Sequence, residues 1–545
     1  VKQPHPIASP IAGRNDLATI PATLARIVII IFPMTYNRIA SAILLTLSVS
    51  TLGSSILFAQ PQRGGQPGPP QAPPAASTSA KPTEIKLEPL SADKSVAQTV
   101  TVHGKTLHYT ATVGTIKLTA PDGHATGEVV FTSYILDGDH ANRPVLFAFN
   151  GGPGAASGYL NFGAVGPKHV TFGNQGDSPS DSPDLTDNPG TWLDFTDEVF
   201  LDPIGTGYSR SLVDEAESRK LFYGPTQDVE YLSTVIYKWL TKNERMTSRK
   251  YLLGESYGGY RGPRMVHYLQ AQLGVGVNGL FLVSPYLNPS FGDGNLSPVP
   301  WMITLPSITA AHLENQGKLT PEAMKEVIAY DEGEYASTLI KGPSDPVATD
   351  AMIKHVTEMT GLDPQFVKYS GGRIETRAFL REIHRDQGTI GSVYDSNVTD
   401  PDPFPYSSFQ QSGDPILESG KATITEAMVN FVTVTVGWKS EARYDLLSSD
   451  VGRQWDRQSS ETQRGSVPDL REAIAADPKF QVVIFHGWND LSCPFMGSIL
   501  TQNQLPPSLA KQVFIHEFPG GHMFYTRPAN SDGLHALAEQ AAARH

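Results

Sequence analysis

Lys250-Tyr251-Leu252-Leu253-Gly254-Glu255-Ser256-Tyr257-Gly258-Gly259 runs from an apolar, strand-like segment into a glycine cluster built around a serine. A helix-compatible segment follows. Gly254 and Gly258 frame Ser256 as G-x-S-x-G, the sequence form of a sharp strand-to-helix turn that presents a serine hydroxyl at its tip. Such a turn crowds strand against helix and leaves little room for Cβ atoms, which is why glycines flank it. This pentapeptide pattern alone also occurs in ordinary turns, so its meaning depends on partners elsewhere in the chain.

Working upstream, Pro225 to Asn243 has the period of an amphipathic helix, with Val229, Leu232, Ile236, Trp239 and Leu240 on one face and Thr226 as a candidate cap. Before it, Asp197-Glu-Val-Phe-Leu-Asp-Pro203 reads as a strand with an exit turn. Pro144 to Phe149 is a continuous apolar run, as expected of a strand buried on both faces. It ends in Asn150-Gly151-Gly152-Pro153-Gly154. From Val100 to Leu136 alternating residues punctuated by Gly104, Gly114 and Pro121-Asp-Gly123 predict antiparallel hairpins. Gly205-Thr-Gly207 belongs to a loop and lacks the third glycine of a dinucleotide site.

Downstream, Gly279 to Ser284 is another short apolar strand. Residues 291–437 then break the rhythm with helical stretches: Thr320 to about Ile340, Asp345 to Thr360, Asp363 to Tyr369 and Arg373 to Arg385. They read as a helical lid inserted in the core, with a separate second domain as the other reading. Phe480 to Phe485 and Val513 to Phe518 resume the strands, and Ser531 to Ala543 closes the chain as a helix. Strands alternating with helices predict an α/β fold with a mostly parallel sheet and helices on both faces. The catalytic core is expected to comprise residues 83–290 and 438–545.

Composition adds bounds. The chain has 545 residues, 39% of them hydrophobic, enough for a large core. A formal net charge of -13 argues against nucleic acid or an anionic membrane surface as partner. The single cysteine, Cys493, excludes an intramolecular disulfide. No metal-ligand set or nucleotide loop is present, so no cofactor is expected.

Residues 60–82 are rich in Pro, Gly, Gln and Ala and read as a linker. Before them, Met34-Thr-Tyr-Asn-Arg38 is a short basic start, followed by apolar Ile39 to Leu47 and a cleavage point after Ala59. Residues 1–59 are expected to be an upstream extension plus signal peptide, with Met34 as the true start and the mature protein exported, periplasmic or secreted. The alternative is an N-terminal membrane anchor, since Ile39 to Phe58 is long enough to span a bilayer.

Three strand ends carry chemistry. Ser256 follows one, Asp490 of His486-Gly-Trp-Asn-Asp490 follows the second, and His522 of Pro519-Gly-Gly-His522 follows the third. Ser, Asp, His is the chain order of the α/β-hydrolases. A serine hydroxyl needs an imidazole to take its proton, and the imidazole needs a carboxylate to fix its tautomer. The tetrahedral intermediate needs two N–H donors, for which the amides of Gly152 and Tyr257 are the candidates. His486, His516 and His535 compete as base. Cys493 competes as nucleophile, but it lacks an elbow and reads as a thiol lining the site.

At this point the chain resembles the serine carboxypeptidases (peptidase family S10), as a bacterial-type member without disulfides. Asn150-Gly-Gly-Pro-Gly154, Phe200-Leu-Asp-Pro-Ile-Gly-Thr-Gly-Tyr-Ser209, Gly254-Glu-Ser-Tyr-Gly-Gly259, Gly487-Trp-Asn-Asp490 and Gly520-Gly-His-Met523 are similar to the family's motifs and stand in the family's order. The resemblance implies removal of residues from the free C-terminus of peptides, with Met523 near the site and a homodimer as a family habit. It also implies that Asn150, the Gly151 amide and Glu255 bind the substrate's terminal carboxylate. Two adjacent carboxyl groups do not both ionise cheaply, so Glu255 would have to be protonated, favouring peptide hydrolysis at acidic pH. Three positions depart from the pattern: Ala148 replaces a tryptophan, Ala164 a second carboxylate-binding glutamate, and Ala155 a cysteine. An ester substrate needs no carboxylate clamp, which keeps an esterase or acyltransferase on the same scaffold as the alternative. A catalytically silent binding domain is the third reading.

Overall fold

The buried strands sort their side chains strictly by parity. Along Val145–Phe149, Val145, Phe147 and Phe149 join one apolar cluster, while Leu146 and Ala148 join another. Tyr251 and Leu253 likewise separate from Leu252. Successive residues of a strand point to opposite faces, so two clusters mean a sheet covered on both sides. In this computed structural model, residues 87–140, 142–173, 178–292, 296–407 and 413–544 are described. The expected signal peptide and linker lie outside them. No helix among the described residues is long and apolar enough to cross a membrane.

In chain order the main strands are β1 (Lys94–Val102), β2 (Lys105–Thr119), β3 (Ala125–Leu136), β4 (Val145–Phe149), β5 (Asp197–Leu201), β6 (Lys250–Glu255), β7 (Gly279–Val283), β8 (Gln481–Gly487) and β9 (Val513–Phe518). They lie in the order β1-β2-β3-β5-β4-β6-β7-β8-β9, and the short segment Arg210–Ser211 pairs with β3. Pairings are antiparallel from β1 to β5 and parallel from there to β9. The expected fold class holds: an α/β-hydrolase architecture with antiparallel strands at its N-terminal edge.

Helix α1 (Pro225–Lys242) packs Trp239 edge-on against Phe147, with ring centroids 5.4 Å apart. The cap expected of Thr226 is not made. Gly224 is the N-cap, and Pro225, whose ring holds a helical φ, opens the helix. Helix α2 (Tyr257–Ala271) leaves the elbow, and helix α3 (Val299–Asn315) opens the inserted region. There the single helix expected from Thr320 to Ile340 is interrupted by a wide turn at Asp331–Tyr335. The helix expected from Arg373 to Arg385 is limited to Thr376–Glu382, because Gly371 and Gly372 have positive φ and the Glu375 side chain caps Ala378 N–H. The region packs onto the loop after β8: Leu491 joins the apolar cluster of Ile308, Val356 and Leu380, and Trp488 and Phe495 join that of Ile303 and Met324.

Candidate active site

The elbow is strained where it presents the serine. Ser256 has φ +58° and ψ −120°, a backbone state that costs a non-glycine residue of order 1–3 kcal/mol. A Cβ on Gly254 would collide with the carbonyl oxygen of Gly258 in the following helix. The turn is braced from β7: Ser256 N–H donates to the Val283 carbonyl at 3.0 Å, and Tyr286 N–H donates to the Ser256 carbonyl at 2.9 Å. Ser256 remains partly exposed, whereas every residue of β6 before it is buried.

Ser284, one residue past Val283, donates its hydroxyl to the His522 carbonyl at 2.8 Å. Two consecutive residues at the end of β7 therefore hold the Ser256 amide and the His522 backbone. His522 Nδ1 pairs with Asp490 Oδ2 at 2.8 Å, and both side chains are buried. The other oxygen, Oδ1, accepts from the amides of Ser492 (2.8 Å) and Cys493 (2.9 Å). Burial works against the imidazolium, but the Asp490 charge, its hydrogen bond and the Cys493 thiol outweigh it and hold the His522 pKa well above the usual value. Burial pushes the Cys493 thiol up, so it stays a protonated thiol beside the imidazole.

The competing histidines are engaged elsewhere. His486 is buried in β8 with Nε2 2.8 Å from Ser498 Oγ, and burial lowers its pKa to about 4. His516 stacks on Phe485, and His535 Nε2 pairs with Asp194 at 2.9 Å.

Asn150-Gly151-Gly152, past β4, meets the elbow from the other side. A Cβ on Gly151 would strike the backbone nitrogen of Tyr257 and the carbonyl oxygen of Glu255, so the two turns are in backbone contact. This brings the segment bearing the Gly152 amide to the N-terminus of α2, where the helix dipole favours negative charge. Asn150 Nδ2 donates to Glu255 Oε2, and Asn150 Oδ1 accepts from Leu160 N–H at 3.0 Å. Tyr525 donates its hydroxyl to Glu255 Oε1 at 2.9 Å. Burial lifts the Glu255 pKa to about 7, opposed by the His522 charge and by the two hydrogen bonds. Met523 is buried in the turn after His522.

Several residues of this site carry no local sequence signal. Arg261, five residues after Ser256, donates Nη1 to the Asn150 carbonyl at 2.7 Å and forks onto Asp228 of α1 at 2.6 and 3.2 Å. Both partners are buried. Arg527 reaches Glu314 of α3 and Asp395 (2.6 Å), while Asn489 donates to Glu314 as well. The Tyr394 ring lies 5.2 Å from the His522 ring, and its carbonyl accepts from His522 N–H. The inserted region thus grips both loops that carry the Asp490–His522 pair.

An apolar cavity of about 350 Å³ borders the site, lined in part by Tyr286, Trp301, Thr304, Leu491 and Cys493. Among the described residues one cluster has metal-ligand proximity, His267, Asp469 and Glu472. Asp469 is already paired with Arg464 at 3.2 Å and Arg264 at 3.8 Å, so its charge is spent on guanidinium groups.

Residues 128–291 match the family model described as serine carboxypeptidase, a segment that contains the Asn150 turn and the elbow. Serine carboxypeptidase-like 50 of Arabidopsis thaliana is 32% identical over 130 residues, 24% of this chain and 27% of the relative. The pheromone-processing carboxypeptidase KEX1 of Ogataea parapolymorpha is 28% identical over 190 residues, 34% of this chain and 27% of the relative. The chain thus spans about a quarter of the length of these curated relatives. The solved prohormone-processing carboxypeptidase KEX1(delta)p of Saccharomyces cerevisiae shares the fold, with a TM-score of 0.50, 15% identity and coverage of 80% of this chain and 91% of that one. Over residues 128–291, the segment that carries the Asn150 turn and the elbow, this chain is similar to the serine carboxypeptidases, and its sheet has the α/β-hydrolase fold.

Proposed function

We propose that the protein is a serine-type carboxypeptidase that hydrolyses the C-terminal peptide bond of peptides through Ser256, His522 and Asp490. The observation that carries this reading is the Asn150–Glu255 pair at the elbow, a neutral amide donor beside a buried carboxyl of raised pKa. An ester-cleaving site has no use for such a pair, whereas a peptide's terminal carboxylate needs donors of this kind. In its protonated form Glu255 can donate to that carboxylate, next to Asn150 Nδ2 and the Gly151 amide.

The chemistry runs as acyl transfer. In the neutral form of His522, Asp490 keeps the Nδ1 proton in place, which leaves Nε2 to take the Ser256 proton as Oγ attacks the carbonyl, and the same carboxylate then stabilises the imidazolium that forms. The Gly152 and Tyr257 amides receive the oxyanion. His522 then returns the proton to the leaving amino acid, and water, activated by the same imidazole, hydrolyses the acyl-enzyme. The apolar cavity beside Cys493 and Tyr286 suits a bulky apolar substrate side chain, since Tyr286 is hydrogen-bonded to Ser256 and Cys493 adjoins His522. The leader-like sequence before residue 60 supports action after export.

A second reading keeps the triad and makes the protein an esterase or acyltransferase. Ala148 and Ala164 favour it, because half of the family's carboxylate-binding pattern is missing. Hydrolysis of an N-blocked dipeptide beside its C-terminal amide and methyl ester separates the two, with Ser256→Ala as the blank. Preference for the free acid, strongest below about pH 7, supports the carboxypeptidase. Turnover of the ester with the free acid ignored refutes it.

A further inference from the structure

Glu255 is buried and both its oxygens already accept a hydrogen bond, Oε2 from Asn150 and Oε1 from the Tyr525 hydroxyl at 2.9 Å. Tyr525 stands three residues after His522, in the short turn Phe524–Thr526, and is buried. Its ring packs against Gly163, the residue before Ala164, the position at which the family pattern has a second glutamate. A Cβ on Gly163, the preceding residue, would come within 3.0 Å of Tyr525 Cε2. The Ala164 methyl group offers no hydrogen bond, and its carbonyl is taken by Asn188 Nδ2 at 2.9 Å.

We propose that Tyr525 is a positioning residue of the carboxylate site, its phenol replacing the absent second carboxyl as the partner that orients Glu255. This inference rests on the carboxypeptidase reading. With one lone pair on each Glu255 oxygen occupied, a proton added to the carboxyl has only the remaining lone pairs to take. The hydrogen bonds from Tyr525 and Asn150 thereby limit the directions in which protonated Glu255 can donate. A phenol differs from a carboxyl in a second way. Burial holds the Tyr525 pKa well above its usual value, so it remains a neutral donor, and the pair contains one titrating carboxyl instead of two sharing a proton.

The groups facing Glu255 are His522, whose charge favours its ionised form, Asp490, which opposes ionisation, and the donors Asn150 and Tyr525. Tyr159 and Tyr394 lie within electrostatic range and are both held protonated by burial. Deleting the Tyr525 hydroxyl removes a donor to the ionised form, so the Glu255 pKa rises further.

The test compares the full chain with Tyr525→Phe, measuring kcat/KM from pH 5 to 9 for an N-blocked dipeptide and for its methyl ester. Fluorophosphonate labelling counts the folded sites in each preparation. Both substrates depend on His522 and only the free acid needs the carboxylate site, so the acid-to-ester ratio reads Glu255. In the wild type that ratio should fall above about pH 7. Tyr525→Phe should move the fall upward by about one pH unit and raise KM for the free acid about tenfold, leaving kcat and ester turnover in place. An unmoved fall with unchanged KM overturns the inference while leaving the carboxypeptidase reading intact. Parallel loss on both substrates per labelled site also overturns it, since that is the mark of a merely structural side chain. A wild type that ignores the free acid overturns the carboxypeptidase reading itself, and the inference with it.

Discussion

Asp490→Asn should cripple this enzyme without unfolding it, and the reason lies in the backbone around Asp490. Its Oδ1 accepts from two amides, Ser492 N–H at 2.8 Å and Cys493 N–H at 2.9 Å. An asparagine there must keep its carbonyl oxygen on those amides. Its NH2 group then faces His522 Nδ1, which becomes the acceptor and moves the imidazole proton to Nε2. That nitrogen can no longer take a proton from Ser256. The flipped rotamer would leave two buried amides facing an NH2 group, at about 1–3 kcal/mol each. The competent arrangement is therefore disfavoured by about 2–6 kcal/mol, and the lost carboxylate charge no longer stabilises the imidazolium. We expect kcat to fall by roughly 10³- to 10⁴-fold, similar to what the same substitution does in an unrelated serine protease. The assay is ester hydrolysis at neutral pH together with the rate of fluorophosphonate labelling, with circular dichroism to establish folding. A folded variant that loses less than about tenfold would refute the assignment of Asp490 as the carboxylate of the triad.

Three further outcomes follow from buried charge and volume. Arg261→Met leaves Asp228 as an unpaired buried carboxylate and frees the Asn150 carbonyl; stability in urea should drop by about 3–5 kcal/mol, and a loss below 1 kcal/mol would contradict the buried pairing. Burial raises the Asp202 pKa to about 7, so the folded state keeps a proton that the unfolded chain releases, and stability is lost as pH rises from about 4 to 7. Asp202→Asn should accordingly be more stable than the wild type at pH 8 by a few kcal/mol and equal to it near pH 4, as read by thermal melting at both values. Thr304→Phe should fill part of the apolar cavity and cut kcat/KM about tenfold for substrates with a bulky apolar side chain while sparing alanine; an even loss across both would remove the cavity from the substrate path.

The residues legible in advance share one property: each stands just past a strand whose apolar run is visible in the sequence. Ser256, Asp490, His522 and Asn150 all follow such runs, and strand ends on one edge of a parallel sheet gather in space. Arg261, Tyr525, Arg527 and Glu314 have no comparable mark. Arg261 meets Asp228 across 33 positions and Tyr525 meets Glu255 across 270, so no local spacing announces either pair. The helix start in the inserted region departs from the expected one for a different, local reason. Gly371, Gly372 and Glu375 set the start of the helix at Thr376, and a periodicity argument that extends to Arg373 passes over the cap.

The sequence by itself determined the parallel sheet, the elbow and the order of its chemical groups, because strand periodicity and turn chemistry are local and depend on neighbours within a few residues. Only the tertiary structure decided which hydrogen bonds those groups make. It alone put Asp490 Oδ1 under two amides, brought the Tyr525 hydroxyl to Glu255, and closed the inserted region onto the Asp490 and His522 loops through Arg527. Such pairings arise from packing between segments far apart in the chain, and burial then supplies the low-dielectric surroundings that set the protonation of Glu255 and His522.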